Sequence, residues 1–442
     1  MKRRNFLKSI VLFGIMAWTS ASYGQNPSDD EIENRLKRAA SKHQRELRDL
    51  LGLRGSGIFP FGTDERVEEV LNNITHALSS RDEYLEKTAL LFYSYEANRL
   101  QTWLIDETGI LGYHEQSISS QELDEAATQL VESLNLTFLR RSRLPRLISH
   151  PETVSFAPVR PESREGAIAK LTQILLPPPI AHALEAVEHL IVVPVLGIGT
   201  VPYPTLKPFG DESFLIDKMS ISIAPSLFDM AQRIHPIAWE NLLQSPLVVG
   251  NPYLPQNETW FLPELLGAEE ESQTVAGMLN VEPLIGRFAT KEQILSKVEE
   301  ASLLYFAAHG IASREDPLQK SFLMLSAETF EQGWWTAKEI QSARLRANLA
   351  VLSACQTGLG QTHDAGIIGL SRAFQLAGVP RVVMSLWSVD DEATNYLMQA
   401  FMKHLQTERI ASEALRKAML EAKEEYPEPL HWASFALFGT PR

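Results

Sequence analysis

The sequence predicts an α/β protein with a mostly parallel sheet and flanking helices, preceded by a smaller α+β N-terminal region. From residue 167 onward, short continuous apolar runs alternate with amphipathic helical stretches, as expected for strands buried on both faces. Before residue 165, helix-period segments surround a β-type run. The 442 residues are 44% hydrophobic and 22% charged, a composition typical of a globular chain with a large core.

The first 25 residues predict an export signal. Lys2, Arg3 and Arg4 precede the apolar run Ile10–Trp18, and small and polar residues follow that run. The stretch RRNFLK resembles the twin-arginine export signal of bacteria. The apolar run is too short to cross about 30 Å of hydrocarbon, so no stable transmembrane segment is expected. We therefore expect a periplasmic or extracellular bacterial protein with a cleaved signal; the alternatives are an uncleaved N-terminal membrane anchor and a cytosolic protein.

Residues 26–164 are predicted to form a region of helices and a β-hairpin. Prolines and charges are frequent over residues 141–165, which indicates a boundary or a long loop before a main domain at 165–442. The predicted elements of the N-terminal region are helices at 31–51 and 67–78, a hairpin at 88–95 and 100–105 continued by 110–113, and a helix at 121–134.

The main domain is predicted to alternate strands and helices. The strand candidates are 190–195, 247–250, 303–307, 349–354, 382–386 and 434–438. The helix candidates are 169–176, 270–278, 291–298, 366–377, 394–406 and 412–424. Ligands of such sheets bind beyond the carboxyl ends of the strands, so chemistry is expected there.

Composition and spacing exclude several classes of function. The net charge of −14 opposes binding to nucleic acid. The chain has one cysteine, so it forms no internal disulfide. No Cys or His cluster has zinc spacing, and Gly197-Ile198-Gly199 lacks the lysine of a phosphate loop, so neither a metal nor a cofactor is expected. We interpret Glu269-Glu270-Glu271 as solvated helix surface and Trp334-Trp335 as packing residues.

Two residues at predicted strand ends suggest nucleophilic catalysis. His309 follows the strand at 303–307, and Cys355 follows the strand at 349–354. Their offset of 355 − 309 = 46 residues is close to the roughly 50 residues of caspase-type peptidases. A nearby imidazole activates a thiol, and the N–H groups of Gly310 and Cys355 are candidate oxyanion donors. From the residues alone, a buried strand-end cysteine is more often a core residue, and His363 is an alternative partner.

Several segments of the main domain resemble the CHAT domain family, which has a caspase-like fold. They are LLYFAAHG, AVLSACQTGLG, GIIGLSRAFQLAGVPRVVMSLWSVDDEAT and HWASFALFG, with LLPPPI, HLIVVPVLGIGTVPYPTL, FLIDKMSISIAPS, LVVGNP and AEEESQTVAGML upstream. The resemblance covers residues 165–440 and implies a caspase-like mostly parallel sheet and a catalytic dyad of His309 and Cys355, with Gly310 beside it. Ala308 replaces a frequent threonine, and the loop at 363–366 departs from the family pattern, which affects the expected loop geometry.

The resemblance also implies a substrate pocket beside the strand at 382–386. A similar segment in separase places an acid after a Trp-x-Val step, so Asp391 is a candidate partner for a substrate Arg or Lys side chain. The alternative is that Asp391 stabilises the N-terminus of the helix predicted from Thr394. Trp387 is either a pocket wall or a core residue.

The sequence thus favours an exported caspase/separase-like cysteine endopeptidase that cleaves a protein or peptide substrate. The alternatives are a non-catalytic peptidase-fold scaffold that recruits a protein partner, and a peptide ligase that uses the same nucleophile. The family is often joined to tetratricopeptide repeats, which are not recognised here. A sensor or recruitment role would therefore fall to residues 26–165 or to a regulatory partner chain.

Overall fold

The computed structural model describes residues 27–50, 69, 73, 87–139, 161–227, 238–254, 265–313, 316, 318–353, 361–363, 366–387, 391–408 and 410–439. The predicted export signal and most of the helix predicted at 67–78 lie outside these residues. Among the described residues, no helix has the length and apolar character needed to cross a membrane.

Within the described residues, eleven strands form one sheet, in the order β3-β2-β1-β4-β5-β16-β15-β12-β8-β6-β7. The strands of this sheet are β1 (Thr88–Glu96), β2 (Arg99–Asp106), β3 (Gly109–Ser117), β4 (His189–Val193), β5 (Ser220–Ile223), β6 (Pro246–Pro252), β7 (Leu284–Gly286), β8 (Leu303–Ala307), β12 (Leu349–Ser353), β15 (Arg381–Ser385) and β16 (Phe435–Gly439). The pairs β1–β2, β2–β3 and β15–β16 are antiparallel and the other pairs are parallel, which confirms a mostly parallel sheet.

The helices pack on both faces of the sheet. They are α1 (Asp29–Leu50), α2 (Ser120–Leu139), α3 (Pro161–Leu175), α4 (Pro178–Ala183), α5 (Leu215–Lys218), α6 (Trp239–Leu242), α7 (Leu266–Leu279), α8 (Lys291–Leu295), α9 (Ala337–Ser342), α10 (Leu370–Ala377), α11 (Asp391–Leu405), α12 (Ala411–Glu425) and α13 (Pro429–Trp432). Two smaller sheets consist of β9 (Gly310–Ile311), β10 (Phe322–Met324) and β11 (Trp334–Thr336), and of β13 (Gln361–His363) and β14 (Gly366–Ile368).

The helix predicted at 366–377 is wrong at its start. Residues 366–368 form β14 in a hairpin with β13, and the helix begins only at Leu370. Two consecutive β-branched residues, Ile367 and Ile368, favour the extended backbone there. The packing role predicted for Trp335 is confirmed, because its ring is buried against Phe306 and Phe374.

The N-terminal hairpin extends the sheet of the main domain. Strand β1 pairs in parallel with β4 from Thr88↔His189 to Phe92↔Val193. Alternate residues of these strands face α1 on one side and a larger core, which includes α2 and α3, on the other. The domain boundary predicted near residue 164 stays a prediction. The strands before and after it belong to one sheet.

Candidate active site

His309 lies just beyond the carboxyl end of β8, and its backbone is held by the small β9–β10–β11 sheet. The Met324 N–H donates to the His309 carbonyl at 2.8 Å, and Gly310 pairs with Leu323. This pattern makes Gly310 and Leu323 a non-hydrogen-bonded antiparallel pair, so the Gly310 N–H points away from β10. The His309 side chain is buried, with 8% of the residue exposed.

Cys355 lies outside the described residues, but the strand that leads to it is well defined. Strands β8 and β12 are parallel neighbours, and their last pair is Ala307 with Ser353. His309 is two residues beyond Ala307, and Cys355 is two residues beyond Ser353. The two candidate catalytic residues therefore follow paired positions on adjacent strands.

A cavity opens beyond the same strand ends. Its volume is about 420 Å³, part of which is open to solvent. Its described lining consists of Leu265, Gly267, Ala268 and Glu271 from α7 and the residue before it, Ala308 and Ser353 from the ends of β8 and β12, Ser385, Trp387 and Phe435 from the β15–β16 side, and Asp391 and Thr394 from α11. Two predicted pocket residues, Trp387 and Asp391, thus belong to this lining.

Trp387 and Asp391 meet the cavity in different ways. The Trp387 ring is buried, and its Nε1–H donates to the Leu430 carbonyl at 3.0 Å, so it is both a pocket wall and a core residue. Asp391 is the first residue of α11, three residues earlier than the predicted helix start, so its carboxylate belongs to both the helix terminus and the cavity. Gly267 packs against it: a Cβ at residue 267 would lie 2.6 Å from the Asp391 Cβ.

The prediction that Glu271 lies on solvated helix surface is wrong. Only 2% of this residue is exposed. The Tyr305 hydroxyl donates to its Oε1 at 2.6 Å, and Tyr305 itself is buried in β8. Glu270, the neighbour in the same acidic triplet, is exposed as predicted. A second carboxyl group therefore lines the cavity at a buried position.

Burial raises the pKa of Glu271 from 4.5 to about 8. Desolvation of the charged form is the main cause; the Tyr305 hydroxyl and Ser353 oppose it, and the negative charge of Asp391 adds to it. Burial also keeps the Tyr305 hydroxyl protonated, since it raises the pKa of that group well above 10. At neutral pH the Glu271 carboxyl is therefore mainly protonated in the unliganded cavity.

The burial of Glu271 follows from the close approach of α7 to the sheet. A Cβ at Gly250 in β6 would lie 1.9 Å from the Ser272 Oγ, so only glycine permits this contact. One sequence signal was available, because Glu271 falls three residues after Ala268 and four before the buried Val275, on the apolar side of the helix. The run of three glutamates obscured that signal.

Comparisons with known proteins agree with this architecture. The CHAT domain family model matches residues 165–440. Tetratricopeptide repeat protein 28 of Homo sapiens is 25% identical over 282 residues, which cover 54% of this chain and 11% of that protein. The Mus musculus protein of the same name is 26% identical over 282 residues, with 54% and 12% coverage. The chain thus spans about a tenth of the length of these relatives.

Among solved structures, the separase–securin complex of Saccharomyces cerevisiae contains a similar fold. The TM-score is 0.51 at 12% sequence identity, and the match covers 86% of this chain and 31% of that chain. A likeness at this identity concerns the fold alone. The α/β fold described above is therefore caspase-like, as the resemblance implied.

Proposed function

The chain belongs to the CHAT domain family, and from that premise we propose that it is a cysteine endopeptidase with His309 and Cys355 as its catalytic pair. The observation that supports the proposal is the pairing of Ala307 with Ser353, since His309 and Cys355 each follow two residues after these paired positions in the sequence. Ligand sites of such sheets lie at this edge. The cavity beside Ala308 and Ser353 is the proposed binding site for a substrate side chain.

The proposed reaction is acyl transfer through a thioester. His309 takes the Cys355 thiol proton, and the thiolate attacks the scissile carbonyl carbon. The Gly310 and Cys355 N–H groups stabilise the resulting oxyanion, and the orientation of the Gly310 N–H away from β10 supports this role. The imidazolium protonates the amine that leaves. Water, deprotonated by His309, then hydrolyses the thioester and regenerates the thiol.

The proposed substrate is a protein or peptide with a basic residue before the cut. Asp391 and Trp387 line the cavity that also contains Ala308 and Ser353, and a carboxylate there matches a guanidinium or ammonium group. The same cavity holds no Lys, Arg or His among its described lining residues.

A peptide-library digest tests this function. We expect wild-type protein to cut and Cys355→Ala protein to lose both cleavage and labelling by a thiol-directed peptide probe. His182→Ala is the matched control, because its side chain is 81% exposed on the surface and lies outside the cavity. Equal cleavage by the Cys355→Ala protein would refute the assignment, and an amine-capped product in the presence of added amine would indicate a ligase.

The alternative is a scaffold that binds a protein partner without cutting it. The separase match comes from a complex with securin, which favours a protein partner for that fold. Absence of cleavage by wild-type protein, together with capture of a partner by both wild-type and Cys355→Ala chains, would support the scaffold.

We also propose that the chain is exported through its N-terminal segment. Arg3 and Arg4 precede the apolar run in the order of a twin-arginine signal. Replacing both by lysine should leave the precursor inside the cell, whereas the wild-type chain should appear outside the cytoplasm with a new N-terminus near residue 25. An unchanged N-terminus and location in both proteins would contradict export.

A further inference from the structure

The cavity contains a buried carboxyl group that the proposed mechanism does not use. Glu271 lines the cavity from α7, and its Oε1 accepts a hydrogen bond from the Tyr305 hydroxyl. Because a buried carboxylate requires a compensating charge or several donors, an ionised Glu271 would be incompletely stabilised by Tyr305 alone. An ionised Glu271 therefore requires a further partner.

The surroundings of Glu271 contain no cation among the described residues that act on it. Strand β8 contributes Tyr305, β12 contributes Ser353, and α11 contributes the negatively charged Asp391. From β6, Gly250 faces α7 and carries no side chain. Glu271 thus faces two hydroxyl groups and one like charge, an arrangement that favours a cation from outside.

The hydrogen bonding of Ser353 provides a second observation. This residue is 93% buried, and its Oγ makes no hydrogen bond of acceptable geometry with the described residues. It lies near enough to Glu271 to favour the charged carboxylate. A buried hydroxyl that lines the cavity and reaches Glu271 only in poor geometry retains hydrogen-bonding capacity for a ligand group.

We propose that Glu271 is a specificity-determining residue that, with Asp391, binds the cationic end of a basic substrate side chain and gives up its proton when that side chain enters. This inference rests on the proposed peptidase function. The carboxyl O–H bond breaks, the proton passes to solvent, and the carboxylate forms a charge-assisted pair with the incoming guanidinium or ammonium. Before the side chain enters, Glu271 is protonated, so Asp391 provides the negative charge of the pair.

The proton release has a measurable consequence for affinity. The pKa of Glu271 is about 8 before a cation binds. Below pH 8, binding of a cation to the ionised form therefore includes the free-energy cost of deprotonating Glu271. The apparent affinity should rise about tenfold between pH 7 and pH 9 and then level off. Binding at pH 7 should release close to one proton.

The test is calorimetric titration of 1-butylguanidine into the full-length Cys355→Ala protein. Titrations at pH 7 in two buffers of different ionisation enthalpy yield the number of protons released, and 1-butylurea serves as the neutral control ligand. We expect butylguanidine to bind with proton release, butylurea not to bind, and Glu271→Gln to remove both the release and the pH dependence. Glu270→Gln, one residue away and exposed, should behave like its parent.

Each outcome decides the inference separately from the peptidase assignment. Unchanged proton release in Glu271→Gln, or no binding of butylguanidine, overturns the role of Glu271 even if the wild-type chain cleaves peptides. Binding with Glu271-dependent release supports it even if no peptide is cut. If Glu271→Gln does not fold, Tyr305→Phe replaces it: loss of the hydroxyl donor should move the affinity rise to higher pH, and an unmoved profile would contradict the proposal.

Discussion

At the scale of single residues, Glu271 links the stability of the fold to the charge of the cavity. Its carboxyl is buried against Tyr305 and Ser353, where the protonated form is favoured. The same burial that shapes the cavity therefore makes an ionised Glu271 costly for the folded chain. We expect this cost to appear in the pH dependence of unfolding.

Stability should fall as the pH rises through the titration of Glu271. Its pKa is about 8 in the folded chain and 4.5 in the reference state, so between these values the folded state holds more protons than the unfolded state. The contribution of Glu271 to the free energy of unfolding then decreases from about pH 4.5 to about pH 8, by up to ~1.4 kcal/mol per unit of pKa difference, and is constant above. Urea unfolding of the wild-type chain at several pH values measures the slope.

The matched variants isolate the contribution of Glu271. Glu271→Gln should flatten this part of the profile, so that the variant gains stability relative to wild type at about pH 9. Glu270→Gln should leave the profile unchanged because that side chain is exposed. Equal slopes in wild type and Glu271→Gln would contradict a raised pKa.

Asp391 permits a second test at this scale, since it belongs to both the cavity and the first turn of α11. Asn has nearly the same shape as Asp, so Asp391→Asn should remove the charge at a cost of no more than about 1 kcal/mol from the lost interaction with the helix dipole. If Asp391 binds a basic substrate side chain, KM for substrates with Arg or Lys before the cut should rise on the order of 10- to 100-fold.

Glu392 is the control for that experiment. It is the next acid in the same helical turn and is absent from the described cavity lining. Glu392→Gln should leave KM unchanged. Equal effects of the two substitutions would support a helix-terminus role for both acids.

At the scale of elements, the apolar pattern predicted most of the sheet and little of the site. Strand β8 was predicted with its observed bounds because it is a continuous apolar run that is buried on both faces. The antiparallel direction of β16 and the strand at 366–368 depend on partners distant in sequence. The burial of Glu271 depends on Gly250 in another element, so no local pattern determines it.

The contact between β6 and α7 should be sensitive to one methyl group. In Gly250→Ala, the new Cβ would meet the Ser272 Oγ at 1.9 Å and its Cβ at 2.5 Å, so α7 must shift. We expect a loss of about 1–3 kcal/mol in the free energy of unfolding, together with weaker binding of butylguanidine because α7 carries Glu271.

Gly277 in the same helix is the matched control. A Cβ at that residue meets nothing within 4 Å, so Gly277→Ala should stabilise the chain by roughly 0.5–1 kcal/mol through helix propensity. Urea denaturation measures both variants. A Gly250→Ala chain as stable as wild type would mean that α7 does not pack on β6 as described.

At the scale of the whole molecule, the continuous sheet joins the N-terminal hairpin to the caspase-like domain. Strand β1 pairs with β4 along five residues, and α1 covers one face of both strands. Residues before 165 therefore complete the core of the main domain. The family match covers residues 165–440, but the sheet continues beyond it into strands β1, β2 and β3. This arrangement predicts that the described parts of the chain unfold together.

Substitution of Trp103 in β2 should consequently destabilise the entire chain. The Trp103 ring is fully buried between Phe92 and Tyr113, at centroid distances of 5.6 and 5.3 Å. Trp103→Ala should lower the free energy of unfolding by about 3–5 kcal/mol. Calorimetry should show a single transition with a lower midpoint. In hydrogen exchange, the amides of the hairpin and of β8 should lose protection equally. Leu111→Ala on the adjacent β3, where 39% of the residue is exposed, should cost less, about 1–2 kcal/mol. Two transitions, of which Trp103→Ala moves only one, would show instead that the hairpin and the caspase-like domain unfold independently despite sharing a sheet.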